Sequence, residues 1–214
     1  MGGAHIGAVT SGMRVGLRPF DLALTVIVAA LNFIVSLTVA PTLNLFIPHV
    51  FTGALLMVPL NLLLSYTVWA TLRKPTFTLY FVTYGLLTMP TTVWGNTPGV
   101  YKLLMGAIIG LTLDLVAMRL RPQTRTTNLA MAAIFSAVWW TWTGAIWTLS
   151  GLPIVQLFQA MLGSVAALKP IAEQGFIPTF AAIALMTNPS SVAATHIASK
   201  LTDRIRRDIH LPGD

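Results

Sequence analysis

The feature that most constrains this chain is an alternation of long apolar stretches with short polar connections. Six stretches hold about 20 mostly apolar residues each, the length an α-helix needs to cross a hydrocarbon core roughly 30 Å thick. Backbone polar groups must be paired inside lipid, and a helix pairs them internally. The pattern therefore predicts an all-α integral membrane protein, a bundle of about six transmembrane helices. The predicted spans are Phe20–Ala40, Val50–Leu72, Thr76–Trp94, Pro98–Met118, Asn128–Ser150 and Phe176–Ala198.

The composition agrees with lipid as the main solvent. Only 9% of the 214 residues are charged and 55% are hydrophobic, whereas a soluble domain carries about 25% charged residues. No linker, repeat or composition shift divides the chain, and no signal-peptide cleavage pattern follows the first apolar stretch. We expect residues 1–214 to form a single transmembrane domain, multi-pass in the cell (plasma) membrane.

Lysine and arginine are distributed unevenly among the connections. With the N-terminus in the cytoplasm, eleven of the thirteen basic residues fall on the cytoplasmic side, and only Lys102 and Lys169 fall outside. This bias orients helical membrane proteins, so we expect both termini to be cytoplasmic. The net charge of +7 does not indicate nucleic acid as a partner, because the charges form short runs rather than a continuous basic face.

Two segments depart from the simple pattern of spans and turns. The third span approaches Pro90 at its outer end, where we expect a break or kink. The connection Gly151–Gly175 is neither a clean span nor a polar loop, and Pro153–Leu168 within it suits an amphipathic interfacial helix between helices five and six. That helix is either an ordinary connector or a lid over an outward-facing pocket.

The sequence contains little that suits catalysis. It has no H-E-x-x-H zinc motif, no G-x-S-x-G elbow, no phosphate-binding loop and no cysteine. Of the six acidic residues only Asp114 lies well inside a span, so a pair of carboxylates for general acid–base chemistry is hard to assemble. The four histidines are scattered. We therefore expect a protein that is not an enzyme, with no cofactor and no metal site.

The fourth span combines small residues with a buried acid. Gly106 and Gly110 stand four residues apart, a spacing that lets two helices approach closely, either within the chain or with a partner. Asp114 follows near the cytoplasmic end of the same span. It is either a structural acid, paired with Arg119 or Arg121 or hydrogen-bonded across helices, or a residue for coupling or substrate recognition.

Aromatic residues concentrate near the outer ends of the spans. An interfacial belt accounts for part of this distribution, but four tryptophans within nine residues of the fifth span cover the whole helix circumference. We therefore predict an outer cavity with aromatic walls and polar handles, suited to a planar ring compound. Its candidate residues are Tyr84, Trp94, Asn96, Tyr101, Trp139, Trp142, Glu173 and Gln174.

Helices two to five resemble the substrate-binding S component of an energy-coupling-factor (ECF) transporter, closest to the YkoE type. About 80 residues carry the likeness: the turn Arg73–Pro75, a helix, an outer turn with Gly95 and Pro98, and the helix YKLLMGAIIGLTLDLV. Such proteins have a glycine-spaced helix that runs into an acid near its cytoplasmic end. In the YkoE type the third helix carries acids suited to a cationic ligand, whereas Thr76–Trp94 here contains none.

The resemblance implies a subunit that captures a vitamin or related heterocyclic micronutrient near the outer surface. A separate membrane T subunit and two ATPase subunits would supply the energy, and small residues of the first helix, here Ala29 and Ala30, would contact the T subunit. Two other classes stay open. One is a non-catalytic structural or assembly subunit of a larger membrane complex, and the other is a membrane enzyme or a small autonomous carrier.

Overall fold

The computed structural model describes residues 16–46, 49–94, 98–149, 169–174 and 176–209. Within these ranges all regular structure is helical and no strand occurs, which agrees with the predicted all-α class. The interfacial helix predicted at Pro153–Leu168 lies outside the described residues. The helices are α1 (Pro19–Asn44), α2 (His49–Thr52), a π-helical turn (Gly53–Met57), α3 (Val58–Leu72), α4 (Phe77–Thr88), α5 (Tyr101–Ala117), α6 (Arg125–Leu149), α7 (Lys169–Glu173) and α8 (Phe176–Ile209).

Three of the helices are long and apolar enough to cross a membrane, so the chain is a membrane protein by length and composition. They cover Pro19–Asn44, Gly53–Leu72 and Arg125–Ile146. The count of six spans stays a prediction, because α4 is a shorter apolar helix of 12 residues. It ends at Thr88 rather than continuing to Trp94, and the break falls where Pro90, which has no N–H to donate, was expected to interrupt it.

Pro59 accounts for the π-helical turn that precedes α3. Proline has no N–H, and its ring would collide with the carbonyl of Leu55 four residues earlier in a regular α-helix. The turn Gly53–Met57 is wider, and the N–H of Val58 bonds to the Gly53 carbonyl five residues back. A wider turn of this kind is one way for a helix to accommodate a proline.

Glycines bring α4 and α5 into backbone contact as an antiparallel hairpin. A Cβ atom at Gly106 would overlap the backbone of Phe81, and one at Gly110 would overlap the backbone of Thr78. Position 106 therefore lies opposite 81 and position 110 opposite 78, which is the antiparallel register. The close approach expected from the G-x-x-x-G spacing is made within this chain, against α4.

Hydrogen bonds set the register of the remaining long helices. In the second half of the chain α6 and α8 run antiparallel. α8 runs parallel to α3, with Ser190 donating to the Ala54 carbonyl just before α3 at 3.5 Å and Arg206 donating to the Thr71 carbonyl at 3.1 Å. A polar side chain buried between these helices has no water to bond to and pairs with another side chain, so each pair also fixes which faces of α6 and α8 are in contact. The α6–α8 pairs are Asn128 with Ser199, Ser136 with Ser191, and Trp140 with Thr187.

One end of the bundle collects the basic connections and is called the basic end. Lys74, in the turn between α3 and α4, forms an ion pair with Asp21 in the first turn of α1. Gln123, in the turn between α5 and α6, donates to Asp203 of α8 at 2.9 Å. These contacts place the start of α1, two turns and the basic last third of α8 together. The side of the membrane that this end faces stays a prediction.

Candidate functional site

Asp114 of α5 caps the first turn of α4 at the basic end. Its two carboxylate oxygens accept the backbone N–H groups of Phe77 at 3.0 Å and Thr78 at 2.8 Å. The first N–H groups of a helix have no partner within the helix, and a carboxylate there also meets the positive end of the helix dipole. The acid is hydrogen-bonded across helices and forms neither of the arginine pairs considered from the sequence, so its observed contacts are structural.

Lys102 caps the opposite end of α4 and was not singled out from the sequence. Its side chain is fully buried, and Nζ donates to the carbonyl oxygens of Thr88, Thr91 and Val93 at 3.1, 2.5 and 2.5 Å. The last carbonyls of a helix lack internal partners and carry partial negative charge, so an ammonium group fits there. This basic residue therefore fixes the turn after α4 and is not available to a ligand.

The spacing of the two charged residues on α5 matches the length of α4. Lys102 and Asp114 are twelve residues apart, about 18 Å along a helix, and α4 itself has 12 residues. Because the helices are antiparallel, the carboxylate of α5 meets the start of α4 and the ammonium group meets its end. Backbone groups at the start of α4, and at its end and in the turn that follows, are thus hydrogen-bonded to side chains of α5, as a lipid environment requires.

An aromatic cluster lies where α4, the turn after it and α6 meet, and is defined as Tyr84, Trp94 and Trp139 with the neighbouring Phe81 and Phe135. Trp94 stacks on Trp139 with ring centroids 5.1 Å apart and an interplanar angle of 22°. Tyr84 packs against Trp94 at 5.4 Å, and Phe81 meets Trp139 edge-on at 6.0 Å. Three of the aromatic residues expected in the pocket are therefore brought together, from α4, the following turn and α6.

A buried polar cluster adjoins the aromatic one, formed by Asn32 and Ser36 of α1, Asn61 of α3, and Tyr80 and Tyr84 of α4. The Asn32 amide nitrogen donates to the Asn61 side-chain oxygen at 2.7 Å, and the Tyr84 hydroxyl bonds Ser36 Oγ at 2.9 Å. All five side chains are at most 2% exposed. Polar residues inside a membrane bundle are costly to bury, and they mark candidate functional sites. Tyr84 belongs to both clusters and joins them.

Two polar atoms of these clusters are buried without a hydrogen-bond partner, Asn32 Oδ1, an acceptor, and Trp94 Nε1, a donor. The Tyr80 hydroxyl interacts with the Asn32 side chain. Most buried polar atoms in proteins are paired, so the unpaired ones are candidates for contact with a bound molecule.

Trp94 is also held in an unusual backbone conformation. Its φ of 57° lies in the left-handed region, which a bulky residue with a Cβ adopts only at a cost. Strained residues of this kind concentrate at ligand-binding and switch positions. The indole ring of this residue lies against Trp139 of α6.

The other residues predicted for the pocket lie elsewhere or nearer the surface. Tyr101 is half-buried against the core, with its ring 6.0 Å from Lys102 Nζ, and Trp142 is 37% exposed. Glu173 and Gln174 are exposed at the end of α7. The ring contacts that define the aromatic cluster are made by Phe81, Tyr84, Trp94 and Trp139. Asn96 lies outside the described residues.

The residues assigned to packing and coupling are placed as follows. Gly106 and Gly110 contact α4, and Asp114 caps it. Ala29 is fully buried within the bundle and Ala30 is half-buried, so of these two alanines only Ala30 presents surface to lipid or a partner. The sequence interpretation missed Asn32, Ser36 and Asn61, although isolated asparagines in apolar spans were a usable signal. Over the described ranges, no group of three histidine or acidic residues is placed to hold a metal ion.

Comparison of the chain with protein-family models, with curated proteins and with solved structures finds no match. Its function is therefore argued from its own residues: a helical membrane protein whose buried polar and aromatic clusters adjoin, and whose other buried charges are used to cap helix ends.

Proposed function

We propose that this protein is the membrane-embedded substrate-binding subunit of an uptake system for a vitamin or related small heterocyclic micronutrient. The observation that carries the proposal is the junction of the two clusters at Tyr84, where stacked indoles adjoin a set of buried uncharged polar side chains. An aromatic wall with a few polar groups is the usual composition of a small-molecule site.

The proposed orientation places the basic end in the cytoplasm and the aromatic cluster toward the outside. The positive-inside tendency supports this, because the connections at the basic end carry most of the lysine and arginine residues. A ligand would then enter from the outer surface. The protein would be a multi-pass component of the plasma membrane with six spans.

The proposed energy source is a set of partners, a membrane T subunit and two ATPase subunits. The sequence has no phosphate-binding loop of its own, so ATP-driven transport requires a second protein. The surface of α1 is available for such contact, since Ile27, Leu31 and Ile34 are each more than half exposed. The resemblance of helices two to five to S components supports the same arrangement.

The proposal is tested by isolating the full chain from its native membranes. We expect a small heterocyclic molecule to be released on denaturation and identified by mass spectrometry, and a T subunit and ATPases to co-purify. A Trp94→Leu, Trp139→Leu double variant should lose the small molecule and keep the partner proteins. Trp142→Leu, which changes an exposed tryptophan on α6, is the matched control and should keep both.

A second candidate function is a non-catalytic structural subunit of a larger membrane complex. It is favoured by the direct stacking of Trp94 on Trp139, which fills space between α4 and α6 with the protein's own side chains. This alternative predicts that partner proteins co-purify without any small molecule, and that the double variant keeps the same partners. Recovery of that pattern would replace the transport proposal.

A further inference from the structure

We infer that the last third of α8 carries a docking surface for anionic phospholipids, in the leaflet that surrounds the basic end. The surface is called the cationic stripe and is formed by Lys200, Arg204 and Arg207, whose side chains are all exposed. The inference is independent of the proposed function, because it concerns how the protein is held in its bilayer and not what it transports.

The cationic stripe faces away from the helix bundle. Ala198 and Thr202 are fully buried and mark the face of α8 that packs inward. Lys200 and Arg204 follow these two residues by two positions each, which is about 200° around an α-helix. Arg207 comes three positions after Arg204 and lies on the same face. The three cations therefore point toward the surroundings of the protein.

The same face of α8 is apolar nearer the middle of the helix. Exposed residues extend the line of the cationic stripe at spacings of three or four, and they are Pro189, Ala193 and Ile197. A phospholipid has the same order of parts, with acyl chains in the hydrocarbon core and a phosphate in the headgroup layer. The outward face of α8 therefore matches both parts of a single lipid molecule.

A contact with α3 places the cationic stripe at the depth of the headgroups. Arg206 donates to the carbonyl of Thr71 at 3.1 Å, and the apolar span that contains Thr71 ends at Leu72. The last third of α8 thus lies level with the end of a membrane-crossing helix. The stripe is about 10 Å long, similar to the headgroup layer on one side of a bilayer, which is about 5–8 Å thick.

The charges around the stripe favour an anionic headgroup. Two acids lie on this part of α8, but Asp203 accepts a hydrogen bond from Gln123 at 2.9 Å and is turned toward the connection between α5 and α6. Asp208 is exposed near the end of the helix. Lysine and arginine near a membrane surface are attracted to anionic lipids. A zwitterionic headgroup carries a cation of its own, which the stripe repels.

An acidic protein segment is the other partner that three exposed cations could bind. The apolar residues that continue the stripe favour lipid instead, because Ile197 is 53% exposed one turn before Lys200 on the same face. A peptide that paired with the cations would leave this apolar surface to be covered separately. A phospholipid covers both surfaces with one molecule.

The test measures lipid binding to the full chain by native mass spectrometry. The protein is delipidated in a nonionic detergent and titrated with phosphatidylglycerol or phosphatidylcholine that carry identical acyl chains. We expect phosphatidylglycerol to bind at least about tenfold more tightly, a difference of about 1.4 kcal/mol. Glycerol phosphate has the charged group without the chains and should not displace the bound lipid at equal concentration.

Charge variants assign the effect to the stripe. One basic residue near an anionic membrane strengthens binding about fivefold, so Lys200→Gln with Arg204→Gln should weaken phosphatidylglycerol binding at least about tenfold. The matched control, Arg18→Gln with Arg119→Gln, removes the same charge from exposed positions beside α1 and α5, whereas α8 packs on α3 and α6. It should change binding less than about twofold. Asp208→Asn should tighten binding about twofold to fivefold, a gain that misfolding cannot produce, and it keeps the test decisive if the α8 double variant does not fold.

Three results would overturn the inference. Equal binding of the two lipids would remove the selectivity, and equal weakening by the two double variants would assign the attraction to the net charge of the basic end. Displacement of the lipid by glycerol phosphate would indicate a site for free phosphate. An acidic protein that co-purifies in the absence of any lipid preference, and is lost from the α8 double variant, would assign the stripe to that protein.

Discussion

Removal of the Asp114 carboxylate tests the claim that α5 holds the start of α4. In Asp114→Ala the N–H groups of Phe77 and Thr78 lose their acceptors at 3.0 and 2.8 Å, in a site where the acid is only 6% exposed. Loss of an N-cap costs about 0.5–2 kcal/mol, and a hydrogen bond to a charged group contributes about 1.5–3 kcal/mol. We therefore expect the free energy of unfolding to fall by about 3 kcal/mol.

Asp114→Asn separates the charge from the hydrogen bonds. Asparagine keeps one acceptor oxygen and is itself a good N-cap residue, but it loses the attraction to the helix dipole, which contributes about 0.3–1 kcal/mol and up to about 2 kcal/mol when partly buried. We expect a loss of about 1–1.5 kcal/mol, clearly less than for alanine. The order Asp, Asn, Ala in decreasing stability is the specific expectation.

The assay is unfolding of the purified protein in mixed micelles by titration with dodecyl sulfate, followed by tryptophan fluorescence. Asp208→Ala and Asp208→Asn are matched controls on the exposed last third of α8, and should change the unfolding free energy by less than about 0.5 kcal/mol. If Asp114→Ala also falls within that range, the cap does not stabilise α4 and the reasoning is refuted. A variant that is stable but inactive in uptake would instead assign the acid to coupling.

Two further predictions concern the same hairpin. Gly106→Ala should lower the unfolding free energy by more than about 1 kcal/mol, because its Cβ would overlap the α4 backbone. Gly53→Ala is the control and should be close to neutral in the same titration, because its Cβ would meet only a ring atom at 3.7 Å. Lys102→Met should lower it by about 2–4 kcal/mol, since three carbonyls lose a charged donor; Lys200→Met, at an exposed position, should not, and equal effects of the two lysine changes would refute the capping role.

The hairpin also limits what the buried charges can do. A membrane protein with an acid and a lysine inside its helices invites an assignment to ion coupling or ligand binding. Here each charge meets backbone groups at one end of α4, and the distance between them along α5 equals the length of the helix they cap. The polar groups left for function are therefore the uncharged ones, on α1, α3 and α4.

The sequence by itself determined that the chain is helical and embedded in a membrane. Length and hydropathy of the apolar stretches are local properties, and the requirement to pair backbone groups in lipid leaves a helix as the solution for each. The close helix contact at Gly106 and Gly110 and the break near Pro90 could also be predicted from the sequence. Glycine has no Cβ atom to keep a neighbouring helix away, and proline has no N–H to continue a helix. Tyr84, Trp94 and Trp139 were selected from their type and their position near the same ends of the predicted spans.

Tertiary structure alone decided which polar atoms are satisfied. Asp114 and Lys102 look alike in sequence as isolated charges at helix ends, and only the antiparallel register of α4 and α5 shows that both are consumed in capping. Asn32 lies 29 residues from its partner Asn61, and no periodicity along one helix reports a contact between two. Hydrogen-bond satisfaction depends on neighbours distant in the chain, so the unpaired atoms of the candidate site emerge only when the helices pack.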